Sequence, residues 1–399
     1  MNPRPLLALP LLALLPILSC HRSGGSGGAT TELNQGSYDV SSFTYQDPYP
    51  AGFQPLGSNV FRAARREEIT VLSATTQGTG HAVTYDDAGK QFNTLQGFGP
   101  GLFGAGFVAL ASATGNLDGV PGEELAVLGY RGKDLEILVL TADKAGTWSG
   151  MGRFSAAGST PPPRHVTLAV ADLDGDDPEE ILLSTTSAGN STGRVRVFDD
   201  GLAGFRLLTN HEVIGCNLLE AIPCDFDVDG TREILLFRRE ARRARVRLLE
   251  GGAKQFAFRG DWLEIDPETR RIVIGNFHAD AGGLPEFAAI TIATKSYGRR
   301  FYWKGYRLIE GQLRRFGSAP VGGDADPREV TDLVACDLDG DGCDEIVTVL
   351  DFGPPGKHRA RIHLWASPWR KNRFSTRTIT LIDDPQLIAL ADLDADADG

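Results

Sequence analysis

Three stretches of the chain share one frame: Asp172-Leu-Asp174-Gly-Asp176-Asp-Pro-Glu-Glu180-Ile-Leu-Leu, Asp225-Phe-Asp227-Val-Asp229-Gly-Thr-Arg-Glu233-Ile-Leu-Leu and Asp337-Leu-Asp339-Gly-Asp341-Gly-Cys-Asp-Glu345-Ile-Val-Thr. Each puts acids at positions 1, 3, 5 and 9, then runs directly into a β-rich segment. Carboxylates on alternate residues, with glycine at position 4 or 6, bend a short loop around one hard cation. The carboxylate at position 9 closes the cage. Oxygen-only ligands of this number suit calcium. EF-hand and dockerin loops begin in the same way, but they need Glu at position 12 and a helix on either side. Here Ile, Leu or Val follows position 9 at once. The metal-free alternative is a set of acid-rich turns on a soluble surface.

The frame recurs along the chain. A weaker copy starts at Asn116, with Asp118 at position 3 and Glu124 at position 9, but with Val120 at position 5. Another starts at Asn276, with His278 and Asp280, and its acid, Glu286, comes two residues late. A last copy starts at Asp392, with Asp394 and Asp396, and the sequence stops inside it at Gly399. The starts are spaced by 56, 53, 51, 61 and 55 residues. A vestigial copy ends in Glu67-Glu68-Ile69, without the earlier acids. Internal periods of this size mean a repeat architecture.

Each unit has the same plan. One strand enters the loop, as in residues 165–171 and 330–336. A second leaves it, as in Ile181-Leu-Leu-Ser, Ile234-Leu-Leu-Phe and Ile346-Val-Thr-Val. A third alternates, as in Arg194-Val-Arg-Val-Phe198, Arg245-Val-Arg-Leu-Leu249 and Arg359-Ala-Arg-Ile-His-Leu-Trp365. A weaker fourth is expected at Phe205-Arg-Leu-Leu208 and at 374–381. Gly, Asp and Asn mark the turns. Four short strands per unit of about 40–50 residues make the blade of a β-propeller, so the fold class is all-β. The residue before position 1 is Gly115, Ala171, Cys224, Gly275, Cys336 or Ala391. All are small, as the crowded innermost strands of a propeller require.

With these motifs the chain resembles the FG-GAP / VCBS repeat family, whose best-known members form the propeller of integrin α subunits. The resemblance covers residues 60–399. It implies a propeller, commonly seven-bladed, with calcium in the hairpin loops. It also implies ligation by the backbone carbonyl at position 7, here Pro178, Thr231 and Cys343. The Gly-Ala-Pro triplet that gives the family its name is absent after every loop, and Phe103-Gly-Ala-Gly106 is only a faint echo. The pattern is that of the degenerate bacterial branch. Two blade counts remain open. Residues 386–391 could close a six-bladed ring by pairing with the N-terminal strand set. Otherwise they begin a truncated seventh unit, the reading we favour.

Residues 1–20 stand apart from the fold. A short cationic start precedes an apolar run, residues 6–18, too short to span as a membrane helix. It ends Ile17-Leu18-Ser19-Cys20, which resembles a bacterial lipobox. That resemblance implies cleavage before Cys20, lipidation of its thiol and an exported, lipid-anchored protein of the cell envelope, at the outer membrane or cell surface. Residues 21–37 form a Gly/Ser-rich tether. Residues 38–59 form an extended N-terminal segment, and 60–399 the propeller. Formal net charge is −12, and much of the acid sits in the loops, which argues against general nucleic-acid binding. Cys216 and Cys224 are too far apart along one strand for a disulfide. Cys336 and Cys343 face each other across a loop, where a bridge is possible.

The sequence carries no H-E-x-x-H, P-loop or C-x-x-C motif, and its seven His are scattered. Six arginines fall within ten residues of one hairpin: Arg238, Arg239, Arg242, Arg243, Arg245 and Arg247. They could bind an anion through bidentate guanidinium contacts, or stand as a solvated hairpin. The functional expectation is a non-enzymatic, calcium-stabilised scaffold that binds a protein or glycan. The alternative is a propeller enzyme acting on polysaccharide or phosphate esters.

Overall fold

The computed structural model describes residues 54–380 apart from connecting turns, among them 121–123, 177, 228–230, 278–285 and 337–342; side chains are described mainly between residues 103 and 348. The leader, Cys20, the tether and the last loop at Asp392, Asp394 and Asp396 lie outside the described residues.

All described elements are strands, and they form six four-stranded antiparallel sheets. The first holds β1 (Gln54–Ala63), β2 (Arg66–Ala74), β3 (Gly80–Asp86) and β4 (Asn93–Gly97). The second holds β5 (Phe107–Gly115), β6 (Glu124–Arg131), β7 (Asp134–Ala142) and β8 (Trp148–Ser155). The third holds β9 (Pro163–Ala171), β10 (Glu180–Ser187), β11 (Thr192–Phe198) and β12 (Leu207–Ile214). The fourth holds β13 (Leu218–Cys224), β14 (Glu233–Arg239), β15 (Ala244–Glu250) and β16 (Ala257–Ile265). The fifth holds β17 (Thr269–Gly275), β18 (Glu286–Lys295), β19 (Gly298–Ile309) and β20 (Gln312–Pro320). The sixth holds β21 (Glu329–Cys336), β22 (Glu345–Asp351), β23 (Ala360–Trp365) and β24 (Thr376–Thr380). Every sheet is a simple meander in chain order.

The sheets stack face to face, and each core cluster lies between two neighbours. Leu128, Ile137 and Val139 of the second sheet meet Ile181, Leu183 and Phe198 of the third. The other face of the third sheet gives Leu182, Val195 and Val197 to Leu219, Leu236 and Leu249 of the fourth. Phe237 and Val246 then meet Phe287 and Ala289 of the fifth, and Ile290 and Trp303 meet Val330 and Ile346 of the sixth. A strand covered on both faces reads as a continuous apolar run. That is why β10 and β14 begin Glu-Ile-Leu-Leu and bury every one of those residues. Burying each such aliphatic side chain contributes about 1.5–3 kcal/mol.

The first strands β1, β5, β9 and β13 pack side by side in sequence, as do β17 and β21, so they line a common axis. The fourth strands lie at the outer rim, and β12 and β16 are largely exposed. Their weak patterning in the sequence has this cause. Phe205 belongs to a turn, not to the fourth strand: its φ is 53° and its N–H donates to the Asp200 carbonyl. β12 therefore starts at Leu207.

β1 begins at Gln54, within the stretch read as an extended N-terminal segment. It fills the first-strand place of its sheet, pairing with β2 from Gln54 opposite Ala74 to Ala63 opposite Arg66. Residues 386–391, outside the described residues, are therefore not needed to complete that sheet.

Candidate metal centre

The loops sit where each first strand ends and the second begins. In five sheets the residue before position 1 pairs with the acid that opens the second strand. The pairs are Gly115 with Glu124, Ala171 with Glu180, Cys224 with Glu233, Gly275 with Glu286, and Cys336 with Glu345. This register also explains the small residues. A Cβ on Gly115 would lie 2.2 Å from Cγ1 of Val170 and 2.3 Å from Oε2 of Glu179, both in the next sheet. A Cβ on Gly275 would lie 2.7 Å from Oδ2 of Asp344 and 3.2 Å from Ala335. The crowding comes from the neighbouring first strand and from the acid at position 8 of its loop.

That position-8 acid is a second device. The Asn116 N–H donates to the Glu179 carboxylate at 2.7 Å, and the Glu179 N–H donates back to the Asn116 carbonyl at 2.7 Å. Asn276 and Asp344 repeat the reciprocal pair at 2.6 and 2.7 Å. Each pair ties one loop to the next.

Within a loop, position 2 is a buried apolar anchor: Leu117, Leu173, Phe226 or Phe277. In three loops its N–H donates to one oxygen of the position-9 glutamate. The distances are 2.9 Å for Leu117 to Glu124, 2.7 Å for Leu173 to Glu180 and 2.6 Å for Phe226 to Glu233. Anchoring one oxygen aims the other into the loop. Position 1 accepts the N–H of position 4, from Gly119 to Asn116 and from Gly175 to Asp172. Both glycines have positive φ, +70° and +86°, which a side chain would strain.

The loops differ in what meets that second oxygen. In the loop from Asn116, the Thr141 hydroxyl donates to Glu124 at 3.2 Å. In the loop from Asn276, the Arg307 guanidinium takes Glu286, which is fully buried. In the loop from Asp172, Oε1 of Glu180 is buried and has no hydrogen-bond partner. It faces carboxylates instead: atoms of Asp172, Asp174 and Glu180 lie within 4.8 Å of one another. The same holds for Asp225, Asp227 and Glu233. Among the described residues, no lysine or arginine pairs with Asp172, Asp174, Asp176 or Glu180. Burial, then repulsion from Asp174, Asp176 and Asp172, pushes Glu180 up to about 8 despite the Leu173 hydrogen bond. Desolvation, then Asp174 and Asp200, pushes Asp176 up to about 6. The cluster thus gathers oxygen donors around uncompensated charge, the arrangement that a hard divalent cation neutralises.

Asp200 was not visible as a site residue in the sequence. It is buried in the turn after β11, and its carboxylate lies within 4.8 Å of Asp176 and Glu180. The turn is fixed from outside, since the Gly201 N–H donates to the Leu117 carbonyl at 2.7 Å in the preceding sheet. Of the expected carbonyl ligands, Pro178 and Cys343 are in buried residues and Thr231 is half-buried. Asp229, Asp280, Asp337, Asp339 and Asp341 lie outside the described residues, as does the side chain of Glu345. Cys216, Cys224 and Cys343 are buried free thiols, so Cys343 forms no bridge with Cys336.

The arginine hairpin is spent largely on its own sheet. Arg238 stacks on Trp262 and Arg247 on Phe258, each with its guanidinium carbon 4.2 Å from the ring centre. Arg245 pairs with Glu264 at 3.0 Å and with Glu240 at 3.6 Å. Arg242 and Arg243 are exposed at the hairpin tip, and Arg239 is half-buried.

No family model and no curated protein matches the chain. Solved structures do. A periplasmic gluconolactonase from Pseudomonas aeruginosa is 14% identical, with a TM-score of 0.51 over 82% of this chain and 86% of that one. A fucose-recognising lectin from Aleuria aurantia, six-bladed, is 10% identical, with a TM-score of 0.46 over 82% and 96%. The likeness to the gluconolactonase, at this identity, bears on the fold alone. Together with six stacked four-stranded meanders, it makes the fold a β-propeller.

Proposed function

We propose that this chain is a calcium-loaded β-propeller of the FG-GAP / VCBS type, held on the bacterial envelope through lipidated Cys20, that serves as a rigid binding scaffold for a protein or glycan. One observation carries the metal assignment: the buried, unpartnered oxygen of Glu180 aimed into three aspartates. The loop from Asp225 repeats the clustering of three carboxylates, with Arg259 3.8 Å from Asp227, and the frame at Asp337 repeats the sequence. The loops from Asn116 and Asn276 differ in kind, because Thr141 and Arg307 already meet their glutamates. Calcium here is structural: it fixes hairpins that join neighbouring sheets and adds stability by binding only the folded state. Because β1 completes the first sheet, residues 386–396 read as the start of a seventh blade.

The test is a thermal melt of the purified protein in millimolar calcium and in chelator, followed by glycan-array and crosslinking screens on the calcium form. A calcium-dependent rise supports the metal assignment. Coincident melts would return the acidic loops to solvated turns. Turnover on a polyuronate or phosphate-ester panel would replace the scaffold reading with an enzymatic one.

A further inference from the structure

The turn that brings Asp200 to the carboxylates of the Asp172 loop is built onto the preceding sheet. The Gly201 N–H donates to the Leu117 carbonyl at 2.7 Å. A Cβ on Gly201 would lie 2.9 Å from that carbonyl and 2.5 Å from Cε of Met151 on β8. Phe205 closes the turn and stacks on Phe154 of β8, with ring centres 5.1 Å apart. The loop is tied to the same place, because Glu179 clasps Asn116. Glu180 and Asp200, both buried, therefore each stand next to a residue that is hydrogen-bonded to the loop from Asn116. Their carboxylates and that of Asp176 lie within 4.8 Å of one another, and Oε1 of Glu180 has no hydrogen-bond partner.

The fourth sheet offers a comparison. Phe198 and Leu249 hold equivalent places, opposite Ile181 and Ile234. Next come Asp199 and Glu250, and each pairs with an arginine, Arg206 or Arg259. Gly251 then stands against the Leu173 carbonyl, where a Cβ would lie at 2.9 Å, as on Gly201 against Leu117. Between Asp199 and Gly201 the third sheet has one residue more, and that residue is Asp200. The fourth sheet sends a cation toward its loop instead, since Arg259 lies 3.8 Å from Asp227. Position 8 of the loop from Asp225 is Arg232, not an acid that could clasp.

An added carboxylate beside Asp176 and Glu180 is repelled when no cation is present. Glu180 is fixed by β10 and by the Leu173 N–H, so the turn is the part that can yield. A divalent cation reverses the sign and draws Asp200 in. We propose that the cation of the Asp172 loop is a clasp between the second and third sheets: bound, it holds the Asp200 turn on the loop from Asn116, and its loss opens this end of the seam. The clasp rests on the reading of the Asp172 loop as a calcium site. Reciprocity sets its size: an Asp200 contribution of about tenfold to calcium affinity requires calcium to hold the turn closed by the same factor.

The test is amide hydrogen exchange of the full chain, read residue by residue in calcium and in chelator. Calcium should slow exchange at Gly201 about tenfold. It should leave Cys216 unchanged, whose N–H donates to the Ser191 carbonyl at the other end of the third sheet. Asp200→Ala should keep a calcium-dependent rise in melting temperature, while its Gly201 exchange no longer responds to calcium. Equal exchange at Gly201 with and without calcium, in a protein whose melt does respond, would overturn the clasp and leave the metal site standing. So would a Gly201 response that survives in Asp200→Ala. No calcium response of any kind would overturn both.

Discussion

Glu180→Gln should change stability in opposite directions with and without calcium. Glutamine keeps the shape of the side chain and an acceptor for the Leu173 N–H, which lies 2.7 Å from Oε2. It removes the buried negative charge facing Asp172, Asp174 and Asp176. In chelator the folded state then carries less repulsion, so the melting temperature should stay level or rise. In calcium the site loses its innermost ligand. At a free calcium concentration of 100 times the dissociation constant, one site adds about 2.7 kcal/mol. A domain of roughly 330 residues unfolds with an entropy on the order of 0.7 kcal/mol per degree, so one site is worth about 4 °C. Differential scanning calorimetry should show the calcium-dependent rise shrinking by about that amount. Glu212→Gln, an exposed acid paired with Arg194, serves as the control. A variant that kept the full calcium response would refute the reasoning. So would one destabilised equally in calcium and chelator, which would make Glu180 only a packing residue.

Three further outcomes test other parts of the account. Asp200→Asn should weaken calcium binding at the Asp172 loop about tenfold, as the loss of one charged ligand, while the Asp225 loop keeps its affinity in a two-site titration. Arg307→Met should cost about 3–5 kcal/mol, because it strands the buried Glu286 charge, and Glu286→Gln in the same chain should restore most of the loss in urea unfolding. Gly115→Ala should cost about 1–3 kcal/mol, since its Cβ meets Val170 and Glu179 of the next sheet, and Glu179→Ala should relieve only part of that.

What was legible in the sequence is what repeats within one unit. The acids on alternate residues marked the loops, and the Ile-Leu-Leu runs marked strands covered on both faces. The small residue before position 1 marked crowding at the axis. The features that escaped notice depend on partners from other units or other turns. Glu179 and Asp344 looked like further acids in acidic loops, yet each clasps the preceding loop. Asp200 is distant in sequence from the frame it joins. Arg307, on the strand after the one that Glu286 opens, serves Glu286 as an internal cation. The arginine-rich hairpin drew notice as a local run, but stacking and ion pairs absorb Arg238, Arg245 and Arg247. Local periodicity therefore identified the blades, while donors from the third strand of the same sheet set Glu124 and Glu286 apart from Glu180, whose Oε1 has none.

The central claim is most directly tested by a crystal structure of the protein grown with calcium, with data collected for anomalous scattering. The account predicts strong peaks inside the loops from Asp172 and Asp225, with carboxylate and carbonyl oxygens about 2.3–2.6 Å away and Oε1 of Glu180 among them. It predicts no peak where Arg307 holds Glu286. Loops that show only water in saturating calcium, with Glu180 still unpartnered, would contradict it.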